Sequence, residues 1–195
     1  MKRFFTLVLG CIFVLGVVSG CNKKTETNLV ETNKNNSEWF NNLVTEDVDG
    51  NKVTKDVFSS KELTLINTWT TWCGPCIGEM PELEALSKEY ENNNSNVAIK
   101  GLIVEVDGTD MKTGLSDKEK ELVKDIMKKS GATYQQLTVS EGLKKTDFKR
   151  TIEFPTTYFV DKKGNFVGEK VTGANSKEEW KKIIDERLKM VKDSE

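Results

Sequence analysis

Cys73 and Cys76 stand two residues apart in Trp72-Cys73-Gly74-Pro75-Cys76. Thiols at this spacing can work as a pair. One attacks a disulfide, and the second reaches back to expel the mixed disulfide that forms. The attacking species is the thiolate, and a helix N-terminus favours it through unpaired N–H groups and the positive end of the helix dipole. Other uses of two thiols fit less well. A structural zinc site takes four ligands, and the chain has no histidine to supplement its sulfurs. A bridge across two residues closes a very small loop and constrains the unfolded chain little. Copper delivery normally adds His or Met ligands, and no His exists. The lack of His also removes His acid–base catalysis and His-dependent triads.

The elements around the pair must place it at a strand-to-helix junction. Leu63 to Trp69 is a β-branched, apolar run suited to a buried central strand. Ile77, Met80, Leu83, Leu86 and Tyr90 follow at spacings of three or four and mark one face of a helix from Cys73 to Asn92. Pro75 suits the first turn of that helix, where its missing N–H costs nothing. Pro81 lies inside it, and a kink is expected there. Upstream, Leu43 to Val48 and Lys52 to Thr54 flank Asp49-Gly50-Asn51, a hairpin signal.

Downstream, Val97 to Val106 reads as a strand and Gly108 to Gly114 as a polar loop. Asp117 to Lys129 reads as a helix with Leu122, Ile126 and Met127 inward. A short strand is expected at Leu137–Val139 and a short helix at Ser140–Phe148. Thr156 to Val160 and Phe166 to Val171 form a second hairpin about Lys162-Lys163-Gly164-Asn165. Ser176 can cap a last helix, with Glu178 and Glu179 in its first turn and Trp180, Ile183, Ile184 and Leu188 inward. This order predicts an α/β fold: a central mixed β-sheet flanked by helices, with an extra N-terminal β-hairpin.

The 195 residues suit one domain, and 36% hydrophobic content excludes both a disordered chain and a multi-span membrane protein. A formal charge of −2 leaves no basic field to attract nucleic acid. Lys2 and Arg3 precede an apolar stretch from Phe4 to Val18, the shape of a secretory signal. Val18-Ser19-Gly20-Cys21 resembles the bacterial lipobox, which implies cleavage before Cys21 and lipidation of that residue. Cys11 would leave with the signal. Asn22 to Ser37 is polar and reads as a flexible tether. The expected organisation is a signal over residues 1–20, a lipidated Cys21 and tether over 21–37, and one domain over 38–195.

The segment Trp72-Cys73-Gly74-Pro75-Cys76 resembles the thioredoxin active site. The wider stretch Leu65 to Pro81, together with Glu153-Phe154-Pro155-Thr156-Thr157-Tyr158-Phe159-Val160-Asp161, resembles the membrane-anchored TlpA/ResA-like branch of that family. The resemblance covers about Leu43 to Lys189 and implies a thioredoxin-like fold. It implies that Cys73 is the nucleophile and Cys76 the resolving thiol. It also implies a cis-proline at Pro155 beside the dithiol, with Phe154 and Thr156 next to it and Trp72 flanking the site with Gly74 and Pro75. Thioredoxins carry a buried Asp six residues before the first Cys, whereas Asn67 stands here and cannot titrate. The branch often has Asn at that place and a Glu three residues after the second Cys, and Glu79 fits. One turn from Cys76, Glu79 could take or relay the thiol proton. The segment Asp107 to Arg150 matches the family loosely and carries no assigned role.

The expected activity is thiol-disulfide exchange outside the cytoplasm by a lipid-anchored monomer that needs no cofactor or metal. Gly74-Pro75 resembles the reducing thioredoxins, so reduction of protein disulfides leads. Clients by family analogy are apocytochrome c and methionine sulfoxide reductases, and a reductase there needs a membrane-embedded thiol electron donor. A disulfide oxidase for secreted proteins and a redox-gated binding module are the alternatives. A peroxidase fits less, because the peroxiredoxin pattern needs a Pro where Ile66 stands, although Thr70 matches its Thr.

Overall fold

The computed structural model describes residues 38–151 and 153–194. The signal, Cys21 and the tether therefore lie outside the described residues. In chain order the strands are β1 (Val44–Glu46), β2 (Lys52–Thr54), β3 (Leu63–Trp69), β4 (Val97–Ile103), β5 (Val106–Asp107), β6 (Asp110–Met111), β7 (Gln136–Thr138), β8 (Thr156–Asp161) and β9 (Val171–Thr172). The α-helices are α1 (Glu38–Asn41), α2 (Gly74–Asn92), α3 (Asp117–Ser130), α4 (Glu141–Lys144) and α5 (Lys177–Asp193).

The main sheet runs β7-β4-β3-β8-β9, with β3 at its centre. β3 pairs parallel with β4 and antiparallel with β8, so the sheet is mixed as its sequence order predicts. Every residue of β3 is buried, as a strand covered on both faces requires. The N-terminal hairpin β1–β2 forms its own antiparallel pair and leans on β7, where Thr45 Oγ1 donates to the Thr138 carbonyl at 2.5 Å.

Strand alternation sorts the core into two layers. On one face Leu63, Leu65 and Trp69 pack with Met80 and Leu83 of α2, Val123 of α3, and Trp180 and Ile184 of α5. On the other, Ile66, Tyr158 and Val160 pack with Trp39 and Phe40 of α1, Leu143 of α4, and Phe58 and Phe148 from two short 3-10 turns. The helix α1 was not anticipated from the sequence.

Several elements depart from expectation. The run Val97–Val106 stops pairing at Ile103, and what read as the end of a strand and a polar loop is instead a small antiparallel hairpin of β5 and β6 turning through Gly108. In α3 Ile126 turns inward as expected and Met127 packs against the core, but Val123 takes the place expected of Leu122, which is 46% exposed. The capping box of Ser116 and Glu119 sets where that helix begins and so which stripe faces the core. The helix expected over Ser140–Phe148 divides into α4 and a 3-10 turn (Asp147–Arg150), because the Thr146 side chain caps a new start by accepting from Phe148 N. The return strand Phe166–Val171 keeps one bridge, Phe166 to Val160, and regular pairing only at β9. Gly168 breaks it at φ 69°, and a Cβ there would meet the Arg187 guanidinium at under 3 Å.

Candidate active site

β3 ends at Trp69, and the chain turns through Thr70, Thr71 and Trp72 before α2 begins. Cys73 N donates to the Thr70 carbonyl at 3.2 Å and tightens that turn. Thr71 N donates to the buried Glu105 carboxylate at 2.8 Å, which ties the turn to the residue two past the end of β4. Cys73 is the N-cap of α2, and its sulfur accepts from Cys76 N at 3.3 Å. The sulfur thus sits among the unpaired amides that favour a thiolate, with Pro75 in the first turn as its preset φ predicts. The two cysteines are joined, with Cα atoms 5.3 Å apart. Cys76 has no exposed surface while Cys73 retains a little, so a partner's sulfur can approach Cys73 first.

Opposite this turn, Phe154-Pro155 is a cis peptide bond. The register of β3 and β8 pairs Thr68 with Thr156, so Pro155 lies beside the end of β3 from which the cysteine turn departs. Thr156 is buried, and its hydroxyl donates to the Glu153 carbonyl at 2.7 Å. The Trp72 and Phe154 rings meet edge-on, with centroids 6.1 Å apart. Trp72 is 63% exposed and offers a large apolar surface beside the sulfurs.

Behind the sulfurs the structure brings Asn67 and Glu79 together. Asn67 lies on the α2 face of β3 between Leu65 and Trp69, in a cross-sheet row that reads Gln136, Gly101, Asn67, Thr157. Gly101 is required in that row, since a Cβ there would fall 1.7 Å from Gln136 Oε1. That oxygen accepts from Trp69 Nε1 at 2.8 Å. Asn67 Nδ2 donates to Glu79 Oε1 at 2.8 Å and to Thr157 Oγ1 at 3.0 Å.

Glu79 is 3% exposed. Its other oxygen, Oε2, accepts from Asn175 N at 3.2 Å and Trp180 Nε1 at 3.3 Å. Burial pushes the carboxyl up to about 6 against these three donors, which favour the charged form. Sequence reasoning missed Trp180 and Asn175 as neighbours of the site. Trp180 read only as an inward residue, and Asn175 contributes its backbone, which no side-chain pattern reveals. Glu105 was missed too, its one signal being a charge at the end of an apolar run.

The chain as a whole is similar to known proteins. The Redoxin family model matches residues 28–184. Thioredoxin-like protein YneN of Bacillus subtilis (strain 168) is 31% identical over 121 residues, which span 62% of this chain and 62% of YneN's length. Thiol-disulfide oxidoreductase ResA of Bacillus thuringiensis subsp. konkukian (strain 97-27) is 27% identical over 150 residues, 77% of this chain and 75% of that protein. Among solved structures, a thioredoxin family thiol:disulfide interchange protein from Chlorobium tepidum TLS superposes with a TM-score of 0.57 at 22% identity. That match covers 75% of this chain and 92% of the other, and the fold is thus thioredoxin-like.

Proposed function

Because the chain belongs to the Redoxin family, we propose that it uses Cys73 and Cys76 to reduce protein disulfides outside the cytoplasm, held to the membrane by lipid on Cys21. The coarse activity is thiol-disulfide oxidoreduction, as its ResA relatives are named. The observation that carries the reading is the Cys73–Cys76 pair at the start of α2, with Glu79 buried one turn behind it. In the reduced enzyme the Cys73 thiolate attacks a client disulfide. One client sulfur leaves as thiolate, and a Cys73–client disulfide forms. Glu79 takes the proton of Cys76, whose sulfur then attacks Cys73 Sγ. The Cys73–Cys76 bond forms, the bond to the client breaks, and the released client thiolate is protonated. The client has gained two electrons and the enzyme has lost them.

Trp72 and Phe154 would line the surface that receives the client chain, with the buried Pro155 and Thr156 supporting it from beneath and Gly74 leaving room beside Cys73. Continued turnover then needs a membrane-embedded thiol donor to reduce Cys73–Cys76 again. Gly74-Pro75 between the cysteines supports the reducing direction. The potential of the pair tests it, read by equilibration in defined thiol buffers. A value near or below about −250 mV is expected, and one near about −120 mV would turn the assignment to a disulfide oxidase.

A further inference from the structure

The last helix belongs to the redox site. Its start is docked on α2 by two carboxylates: Asn175 N donates to Glu79 Oε2, and Lys177 N donates to Glu82 Oε2. Further along, Lys177 and Lys181 both pair with Glu89. Glu79, Glu82 and Glu89 form one stripe of α2 facing α5. Trp180 lies in the first turns of α5 with no exposed surface, and its indole N–H goes to Glu79. A buried Trp needs a partner for its N–H, and a phenylalanine would fill the same apolar layer without one.

From this geometry we infer that Trp180 is a positioning residue of the dithiol site, acting through Glu79. The inference rests on the proton role proposed above for Glu79. Trp180 donates and cannot accept, so of the two protonation states its bond favours the ionised carboxylate, the stronger acceptor. That is the form able to take the Cys76 proton. The indole thus counteracts the burial that would otherwise keep Glu79 protonated, and leaves it available as a base at neutral pH.

The other groups around Glu79 leave that task to the donors. β3 carries no charged side chain. On β8, Asp161 lies at the far end, paired with Leu63. In the first turn of α5, Lys177 is engaged with Glu89, Glu179 closes the capping box with Ser176, and Glu178 completes the acidic pair. On its own helix Glu79 lies one turn after Cys76 and one turn before Glu82. The Tyr134 phenol, just before β7, is pushed up by burial and by the Glu79 charge, and stays neutral.

The test follows the Glu79 carboxyl carbon by NMR in the full-length oxidised protein, together with the pH dependence of disulfide reduction, with insulin as substrate and dithiothreitol as electron source. Trp180→Phe should move the Glu79 midpoint up by about one pH unit, the scale of one lost bond to a charged group. The acid limb of the rate should move with it, cutting the rate about fivefold at pH 6. In a Glu79→Gln background, Trp180→Phe should leave the pH profile unchanged. Because Trp180 also fills the core, a second variant replaces it with benzothienylalanine, which keeps the shape and removes the N–H. It should reproduce both shifts. An unmoved midpoint in the benzothienylalanine variant would overturn the role of Trp180 and leave Glu79 untouched. A moved midpoint with an unmoved acid limb, or an acid limb that persists in Glu79→Gln alone, would overturn the proton role of Glu79 on which the inference stands.

Discussion

On the face of β3 that meets α2, Leu65 and Trp69 flank Asn67, and the buried Glu79 carboxylate is bonded to it. On the opposite face Ile66 meets Trp39, Phe40, Phe58, Phe148, Tyr158 and Phe166, whose rings contact one another mostly edge-on. Both faces are dry and densely covered. The first spends part of its packing on groups that would be more stable in water, and the second does not. A carboxyl that burial pushes up to about 6 costs the folded state stability at neutral pH. An aromatic cluster carries no such cost and supplies the burial that offsets it. One layer holds the cysteine pair, and the other is packing alone.

The comparison is broken if chemistry survives loss of the first face or if stability ignores the second. Cys73→Ser should cost at least about a thousandfold in insulin reduction, because the step has no other nucleophile. Cys76→Ser should instead accumulate a Cys73–client disulfide, visible by mass under non-reducing conditions. Phe40 has no exposed surface and lies against four other rings. Phe40→Ala should cost about 3–5 kcal/mol in urea unfolding, while the Glu79 titration stays in place. A Glu79 midpoint that moved with Phe40→Ala would show the two layers to be coupled.

Glu79 sharpens the contrast through pH. Its carboxyl rises from an ordinary 4.5 to about 6 in the folded state. The folded protein therefore holds a proton that the unfolded chain has released in that window. The stability this contributes is complete below about 4.5 and is lost as pH climbs through about 6, a total of about 2 kcal/mol. Other carboxylates act the opposite way. Asp47 and Glu84 are held below their ordinary range by hydrogen bonds that outweigh burial, so their contribution is lost on acidification. The informative quantity is thus the difference in unfolding free energy between wild type and Glu79→Gln across pH 4 to 7. It should change by about 2 kcal/mol, with the variant favoured at the neutral end. A flat difference would mean that Glu79 is not buried as a titrating group.

The cysteine pair, the strand behind it and the helix after it were legible because each rests on local rules: period, capping chemistry and a thiol spacing. Asn67 and Glu79 were each singled out only through family resemblance, and their bond was not anticipated, since the two residues lie on different elements. What could not be read was set by tertiary packing. Whether Leu122 or Val123 turned inward depended on the phase at which α3 docks. The break in the last strand came from a glycine pressed against Arg187. The bonds of Trp180 and Asn175 to Glu79 depended on where α5 lands on α2, and a backbone amide leaves no mark in a pattern of side chains. Local chemistry named the cysteine pair, while the groups that bond to Glu79 came from far along the chain.

The smallest effect separates a cap that only stabilises from a cap that also serves the site. Ser116 and Ser176 both close capping boxes, with Glu119 and Glu179. Replacing either with Ala should cost about 1 kcal/mol, since each loses an acceptor for a first-turn amide. Their surroundings differ. Ser116 opens α3, whose first turn is bound to Lys112 through Glu119. Ser176 follows Asn175, whose amide is fixed on Glu79. Loosening the start of α5 should weaken that bond and leave burial less opposed, so Ser176→Ala should raise the Glu79 midpoint by a few tenths of a pH unit, roughly the share of a single weakened bond. Ser116→Ala should leave it unmoved at the same loss of stability. Equal shifts in both variants would mean that the carboxyl responds to general loosening of the domain, and that α5 has no special hold on the site.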